Sequence, residues 1–169
     1  ENTFIEYNRE PFIPHFLSME GPAFDVADVN NDGLVDVYLG GGKHQPGAIY
    51  LQNDWGEFKT VIDSVFIWDS HGEGVDAAFF NANNDEFPDL YVAKGGNEFF
   101  AKMEPLKDCL YFGVGNGRFV KSQSALPDIY ANSACVKPAD IDQDGDLDLF
   151  VGSRSLPREY GVIPQRDPA

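Results

Sequence analysis

Asp28-Val29-Asn30-Asn31-Asp32-Gly33-Leu34-Val35-Asp36 decides how this chain is read. Oxygen-bearing side chains stand at positions 1, 3, 5 and 9 of a short loop, with glycine at position 6. Alternate residues of a tight turn can fold their oxygens inward around one point. A hard cation such as Ca²⁺ takes about six to eight oxygens at about 2.3–2.6 Å. Asp28, Asn30, Asp32 and Asp36 supply side-chain oxygens, and Leu34 supplies a main-chain carbonyl. Gly33 permits the sharp reversal because it tolerates positive φ.

The loop recurs twice. Asp140-Ile141-Asp142-Gln143-Asp144-Gly145-Asp146-Leu147-Asp148 is a full copy, with Asp140, Asp142, Asp144 and Asp148 as side-chain ligands and Asp146 at the carbonyl position. Asn81-Ala82-Asn83-Asn84-Asp85-Glu86-Phe87-Pro88-Asp89 is a weaker one, offering Asn81, Asn83, Asp85 and Asp89 with the carbonyl of Phe87. Up to three Ca²⁺ ions are therefore expected. The loops begin at 28, 81 and 140, spacings of 53 and 59 residues. A repeat near that length points to a propeller or a solenoid array.

Bulk properties agree with a folded chain. With 169 residues it can bury a real core, and 43% hydrophobic and 14% aromatic content argue against disorder. The formal charge of −16 disfavours nucleic acid and acidic membrane surfaces as partners, since phosphate contact needs a basic surface. Nine of the 28 acidic residues are aspartates at side-chain ligand positions of the three loops, so bound metal would offset part of the charge. No run of 18 apolar residues exists, so no membrane-inserted helix is expected. The chain starts at Glu1 without a charged and apolar leader, so no signal peptide is read; a mature protein and an excised fragment would look alike. Cys109 and Cys135 read as two half-buried strand thiols, with a disulfide as the alternative.

Strand signals surround each loop. Residues 23–27 lead into the first and 34–39 leave it; 48–52 and 58–62 complete four short strands. The series repeats with 77–80, 90–93, 109–112 and 118–120, and begins again with 134–137 and 147–152. The tail from Ser153 shows no strand pair, and almost no α-helix is expected. Phe4, Phe12 and Phe16 are expected to pad the edge of the first sheet. Runs of four-stranded units are the composition of propeller blades. The units are an edge segment 1–20, a blade 21–65 with loop 28–36, a blade 74–122 with loop 81–89, and a partial blade 133–169 with loop 140–148.

The pattern D-x-[DN]-x-D-G-x-x-D, followed by an apolar strand and a Gly-Gly pair, resembles the FG-GAP or VCBS repeat, the blade unit of integrin α-type propellers. Residues 28–33 and 140–152 carry its core, and residues 46–51 and 110–112 its later strand, each followed by a Gly turn and by Phe58 or Phe119. The resemblance covers about residues 21–155. It implies an all-β fold of β-propeller blades, here two full blades and part of a third, as a segment of a propeller of about seven blades. The remaining blades would come from a longer chain or from self-association. It also implies Ca²⁺ between the first and second strands of each blade, and a ligand-facing surface on the opposite loops. Candidate contacts there are Lys43, His44 and Gln45; Asn97, Phe99 and Phe100; and Arg154, Arg158 and Tyr160.

The second loop departs from the pattern. Asn81 replaces an aspartate and Glu86 replaces the glycine; holding a non-glycine residue at positive φ would cost on the order of 1 kcal/mol. Side-chain aspartates number four, three and two in loops three, one and two, so Ca²⁺ affinity is expected in that order. An EF-hand is disfavoured. It needs a bidentate Glu at position 12 and a following helix, where this chain has Leu39, Val92 and Val151 in strand-like runs. Plain metal-free turns suit any one loop, but three sets of packed carboxylates without a cation would repel.

Catalysis finds little support in the residues. His15, His44 and His71 lack metal-ligand spacing, no G-x-S-x-G elbow exists, and Gly40-Gly41-Gly42-Lys43 is followed by His44 rather than Ser or Thr. The reading favoured is a non-enzymatic, calcium-stabilised adhesion module, extracellular or at the cell surface, whose partner is a protein or a glycan. The alternative is part of a carbohydrate-active enzyme such as a polysaccharide lyase, with His71 or Tyr160 beside Arg154. A structural spacer in a larger surface protein is the third.

Overall fold

The computed structural model describes residues 4–14, 16–17, 20–99 and 102–156. Among the described residues, ten strands form two four-stranded antiparallel sheets and one hairpin. The first sheet orders β1 (Phe24–Ala27), β2 (Asp36–Leu39), β3 (Ala48–Gln52) and β4 (Phe58–Val61) as consecutive neighbours. The second repeats this with β5 (Glu73–Phe80), β6 (Asp89–Gly95), β7 (Cys109–Gly113) and β8 (Phe119–Lys121). β9 (Asn132–Ala139) and β10 (Asp148–Ser155) form the third unit.

Each acidic loop lies between the first two strands of its unit. Because strands alternate in direction, the three loops share one end of the sheets with the β3–β4 and β7–β8 turns. The β2–β3 and β6–β7 connections and the sheet-to-sheet links occupy the other end. Asn31 Nδ2 donates to the Glu86 carbonyl at 2.8 Å, which ties the first loop to the second.

The sheets pack face to face, and the sandwiched second sheet shows it in its sequence. β6 is buried along its whole length. Leu90 and Val92 join Tyr38, Ile49, Ala77 and Tyr111 in the core shared with the first sheet. Tyr91 and Ala93 join Ala78, Phe80, Leu110 and Val136 in the core shared with the hairpin. A strand covered on both faces is apolar on both faces. The outer face of the first sheet is open by contrast, with Phe24 55% and Phe58 50% exposed.

Inner-strand carboxylates also join the units. Asp25 of β1 accepts the Phe79 N–H of β5 at 2.6 Å, and Asp76 of β5 accepts the Val136 N–H of β9 at 3.0 Å. These aspartates carry no motif, so their role was not legible in the sequence.

Almost no α-helix was expected, and one short α-helix is found among the described residues; three other expectations are corrected. A helical turn, α1 (Ser64–Trp68), links the first two sheets; five residues are too few to show a helical period. Its cap Asp63 accepts the Val65 N–H and, through its other oxygen, the Phe119 N–H at 3.1 Å. β10 runs on through Ser155, pairing Ser155 with Asn132, where no strand was read. Phe12 is 86% exposed and pads nothing. The amino-terminal segment docks on the second sheet's connection rather than on the first sheet's edge: Arg9 Nη1 donates to the Glu98 carbonyl at 3.1 Å, and Asn97 donates to Glu10.

Phe66 of α1 fills the wedge between the first two sheets. Its ring centroid lies 5.2 Å from Tyr111, 5.6 Å from Tyr38 and 5.7 Å from Phe119. Phe66→Ala is expected to cost about 3–5 kcal/mol, because three rings lose a shared neighbour and the sheets cannot collapse onto the gap. Urea unfolding measures the loss; a change under about 1 kcal/mol would show that the wedge closes without the ring.

Candidate metal centre

The three loops are built by one scheme of main-chain hydrogen bonds. The position-9 aspartate accepts the N–H of position 2 in every loop: Asp36 from Val29 (3.1 Å), Asp89 from Ala82 (2.7 Å) and Asp148 from Ile141 (3.1 Å). The position-5 aspartate accepts the N–H of position 7: Asp32 from Leu34 (2.8 Å), Asp85 from Phe87 (2.8 Å) and Asp144 from Asp146 (2.9 Å). Position 4 turns through the left-handed region each time, at Asn31 (φ 57), Asn84 (φ 58) and Gln143 (φ 62). That requirement was missed in the sequence, although Asn is the non-glycine residue best suited to it.

Position 6 separates the loops. Gly33 (φ 85) and Gly145 (φ 100) direct their N–H to the position-1 carboxylates, Asp28 at 2.8 Å and Asp140 at 3.2 Å. In the second loop Glu86 is not at positive φ, so the expected strain is absent. The turn is closed differently: the Asn81 amide donates to the Asp85 carbonyl at 2.6 Å. A donor is thereby turned inward where the other loops present an acceptor.

The third loop gathers its oxygens most closely. Carboxylate oxygens of Asp140, Asp142 and Asp148 lie within 4.8 Å of one another, the one such cluster among the described residues. Two oxygens on one cation with bonds of about 2.3–2.6 Å can be no more than about 5 Å apart, so this spacing fits a calcium shell. An all-oxygen, triply anionic set suits a hard cation and no soft metal. The same positions hold Asp28, Asn30 and Asp36 in the first loop and Asn81, Asn83 and Asp89 in the second. Carboxylates in the set thus fall from three to two to one. Asp144 and Asp146 lie outside the cluster.

Position 9 has a second duty in the complete sheets. Asp36 accepts the Gln52 N–H at the end of β3 (2.8 Å), and Asp89 accepts the Gly113 N–H at the end of β7 (2.8 Å). Both side chains are fully buried. Burial lifts both carboxyls above the ordinary carboxylate range, and the N–H groups oppose it. Asp148 has no third strand beside it among the described residues and is exposed. Gly113 must be glycine here, since a Cβ would stand 2.3 Å from the Pro88 carbonyl.

At the opposite end the proposed contact residues separate. His44 and Gln45 are exposed. Asn97 and Phe99 are buried, at 0% and 9% exposure, which corrects their reading as exposed anchors. Lys43 is drawn to them, paired with Glu98 and 5.3 Å from the Phe99 ring centroid. Arg154 pairs with Glu20 on β10. His71 packs edge-on against His44, with ring centroids 5.7 Å apart. Phe100, Arg158, Tyr160 and His15 lie outside the described residues. Cys109 and Cys135 are free thiols. No described helix is long and apolar enough to cross a membrane.

Beside Lys43 sits Glu73, with Oε2 buried and without a hydrogen-bond partner. Burial first, and then the neighbouring Glu98, raise its carboxyl to about 7, against the pull of Lys43. A folded-state value above the unfolded one means that the fold holds the proton more tightly. Stability is therefore full below about pH 4.5 and falls as pH rises toward 7. Glu73→Gln is expected to flatten that part of the stability–pH curve. Urea midpoints from pH 4 to 8 measure it, and an unchanged slope would assign the dependence to other groups.

Stacked four-stranded antiparallel sheets, each opened by an acidic turn between its first two strands, define a β-repeat protein of the blade type. Residues 81–151 match the model of the FG-GAP-like repeat, which is consistent with an FG-GAP-type repeat in that stretch. The match runs from the second acidic loop into β10 and takes in the third loop. The first sheet lies outside it and repeats the same strand order and loop bonding. No curated protein matches the chain in sequence.

Proposed function

We propose that this chain is a calcium-stabilised, non-enzymatic binding module that works outside the cell. Its blades are held by Ca²⁺ in the acidic turns, and a protein or glycan docks on the loops at the other end. The observation that carries the reading is the approach of the Asp140, Asp142 and Asp148 carboxylates within 4.8 Å, in a loop whose bonding scheme recurs in two others. Three carboxylates that close are mutually repulsive unless a cation lies between them. Sites of this modest charge suit the high calcium outside cells. The module would be one part of a propeller completed by further blades.

Asp140, Asp142 and Asp148 would hold the ion in the third loop, with the Asp146 carbonyl. Asp28, Asn30, Asp32, Leu34 and Asp36 would do so in the first, and Asn81, Asn83, Asp85, Phe87 and Asp89 in the second. The ion supplies charge neutralisation and fixes the turn; the chain's own N–H groups pre-orient the ligands. Calcium titration of three variants, each retaining one loop, tests this. Affinity is expected to fall from the third loop to the first to the second. Equal affinities would sink the ordering, and no binding at millimolar calcium would sink the metal reading.

A further inference from the structure

The end of the sheets opposite the acidic turns holds an opening of about 310 Å³, between the α1–β5 link, the β6–β7 connection and the ends of β6 and β8. That volume lies at the low end of small-molecule sites, about 300–1,000 Å³. Its lining is rich in lysine for so acidic a protein, three lysines standing beside Asp69 and Glu104. A chain with formal charge −16 and 12 basic residues places Lys94, Lys107 and Lys121 on this one opening.

The lysines differ in their partners. Lys121 pairs with Asp69 at 2.7 Å, and the other Asp69 oxygen accepts the Tyr111 hydroxyl at 2.8 Å. Lys107 pairs with Asp128 at 2.7 Å and with Glu104 at 3.9 Å. Lys94 forms no ion pair among the described residues. It is 7% exposed, and its ammonium reaches the Asp69 carbonyl at 3.4 Å. The carboxylate of Asp108, bound to the Lys94 main-chain N–H, the Tyr91 hydroxyl and the Ser133 hydroxyl, interacts with the Lys94 charge at a distance but makes no ion pair with it. Lys94 continues the Leu90–Val92 stripe of a strand buried on both sides. An ammonium buried there with no carboxylate in direct contact is unfavourable unless something supplies one. At the rim stands Trp68, 73% exposed, an apolar plate with nothing laid on it.

We propose that this opening binds an acidic saccharide, with a ring carboxylate set against Lys94 and a ring face laid on Trp68. The site deepens the proposed binding function and rests on it. A buried ammonium calls for one anionic group at depth. An exposed indole calls for a flat, partly apolar body beside it. A sugar acid joins both on one ring, and the space admits one or two such rings rather than a folded partner. His71 and Lys107 lie on the same opening, where they can meet hydroxyls or a second carboxylate.

Calorimetric titration of the calcium-loaded chain with tri-galacturonate, and with the uncharged galactose trimer, tests the site. The acidic trimer is expected to bind, the neutral one to bind at least about tenfold more weakly, and added salt to weaken the acidic one. Lys94→Met keeps the buried stem and removes the charge; Trp68→Ala alters an exposed side chain. Each is expected to reduce affinity about tenfold or more while the melting temperature holds. Equal binding of the two sugars, indifference to Lys94→Met, or no heat at millimolar ligand overturns the proposal. Tighter binding of a triglutamate peptide overturns the ligand class. Calcium protection against melting, measured on the same samples, separates the two readings. If calcium protects and the sugar does not bind, only this site falls. If calcium does not protect, the calcium-stabilised module falls whether or not the sugar binds.

Discussion

Asp89→Ala, measured in chelator, is expected to remove about 2–6 kcal/mol of stability. The side chain is fully buried and holds two main-chain donors, the N–H groups of Ala82 and Gly113. Its loss leaves both unsatisfied, and each orphaned buried donor costs about 1–3 kcal/mol. Against a total of about 5–15 kcal/mol for an ordinary domain, that is enough to unfold much of the population. Asp89→Asn is expected to lie between, because it keeps one acceptor and points an amide donor at the other N–H. Asp148→Ala is the contrast. That residue has the same place in its loop but is exposed and accepts from Ile141 alone, so its loss in chelator is expected to stay under about 1 kcal/mol. The measurement is the urea midpoint at unchanged slope. Equal losses for Asp89→Ala and Asp148→Ala would show that the bond to the third strand contributes nothing.

Adding calcium to the chelated protein is expected to raise the melting temperature by about 5–10 °C for each loop that fills. A ligand bound only by the native state contributes about 2.7 kcal/mol at a hundredfold excess over its dissociation constant. For a chain of this size about 1 kcal/mol moves the midpoint by about 2–4 °C. The third loop gives the largest share, because filling it also relieves repulsion among Asp140, Asp142 and Asp148. Magnesium is expected to protect far less, since it demands a smaller octahedral shell and sheds water reluctantly. Here Asp148→Ala, nearly silent in chelator, is expected to abolish the third loop's share. A midpoint indifferent to calcium would end the cation-cage reading of the loops.

Strand existence was legible because each strand lies between turn residues that announce themselves, and because apolar residues alternate or run on as burial requires. The boundaries moved where neighbours supply the cover. β5 begins at Glu73, four residues before the stretch read as strand, because Gly95 and Lys94 of β6 are there to pair with it. The acidic loops were legible as a motif, including the weakness of the second. The way that weakness is resolved was not: Glu86 avoids the left-handed conformation, and the Asn81 amide closes the turn instead. The contact residues read on the opposite loops fared less well, since Asn97 and Phe99 turn inward beneath the amino-terminal segment. Loop position says which end of the sheet a residue occupies, and it does not say whether another segment covers it.

The sequence by itself determined what is local and repeated: the strand order within each unit, the acidic turns and the ranking of their carboxylates. Those follow from side-chain chemistry over nine residues and from turn preferences. Only the tertiary structure decided which aspartates serve the fold and which remain open to a cation. Asp36 and Asp89 are claimed by a third strand that arrives from 16 and 24 residues away, while Asp148 is left exposed. It also decided that Lys94, Lys121 and Trp68 meet at one opening. Burial and encounter depend on which sheets stack, and stacking is settled by apolar surface summed over the whole chain rather than by any one segment.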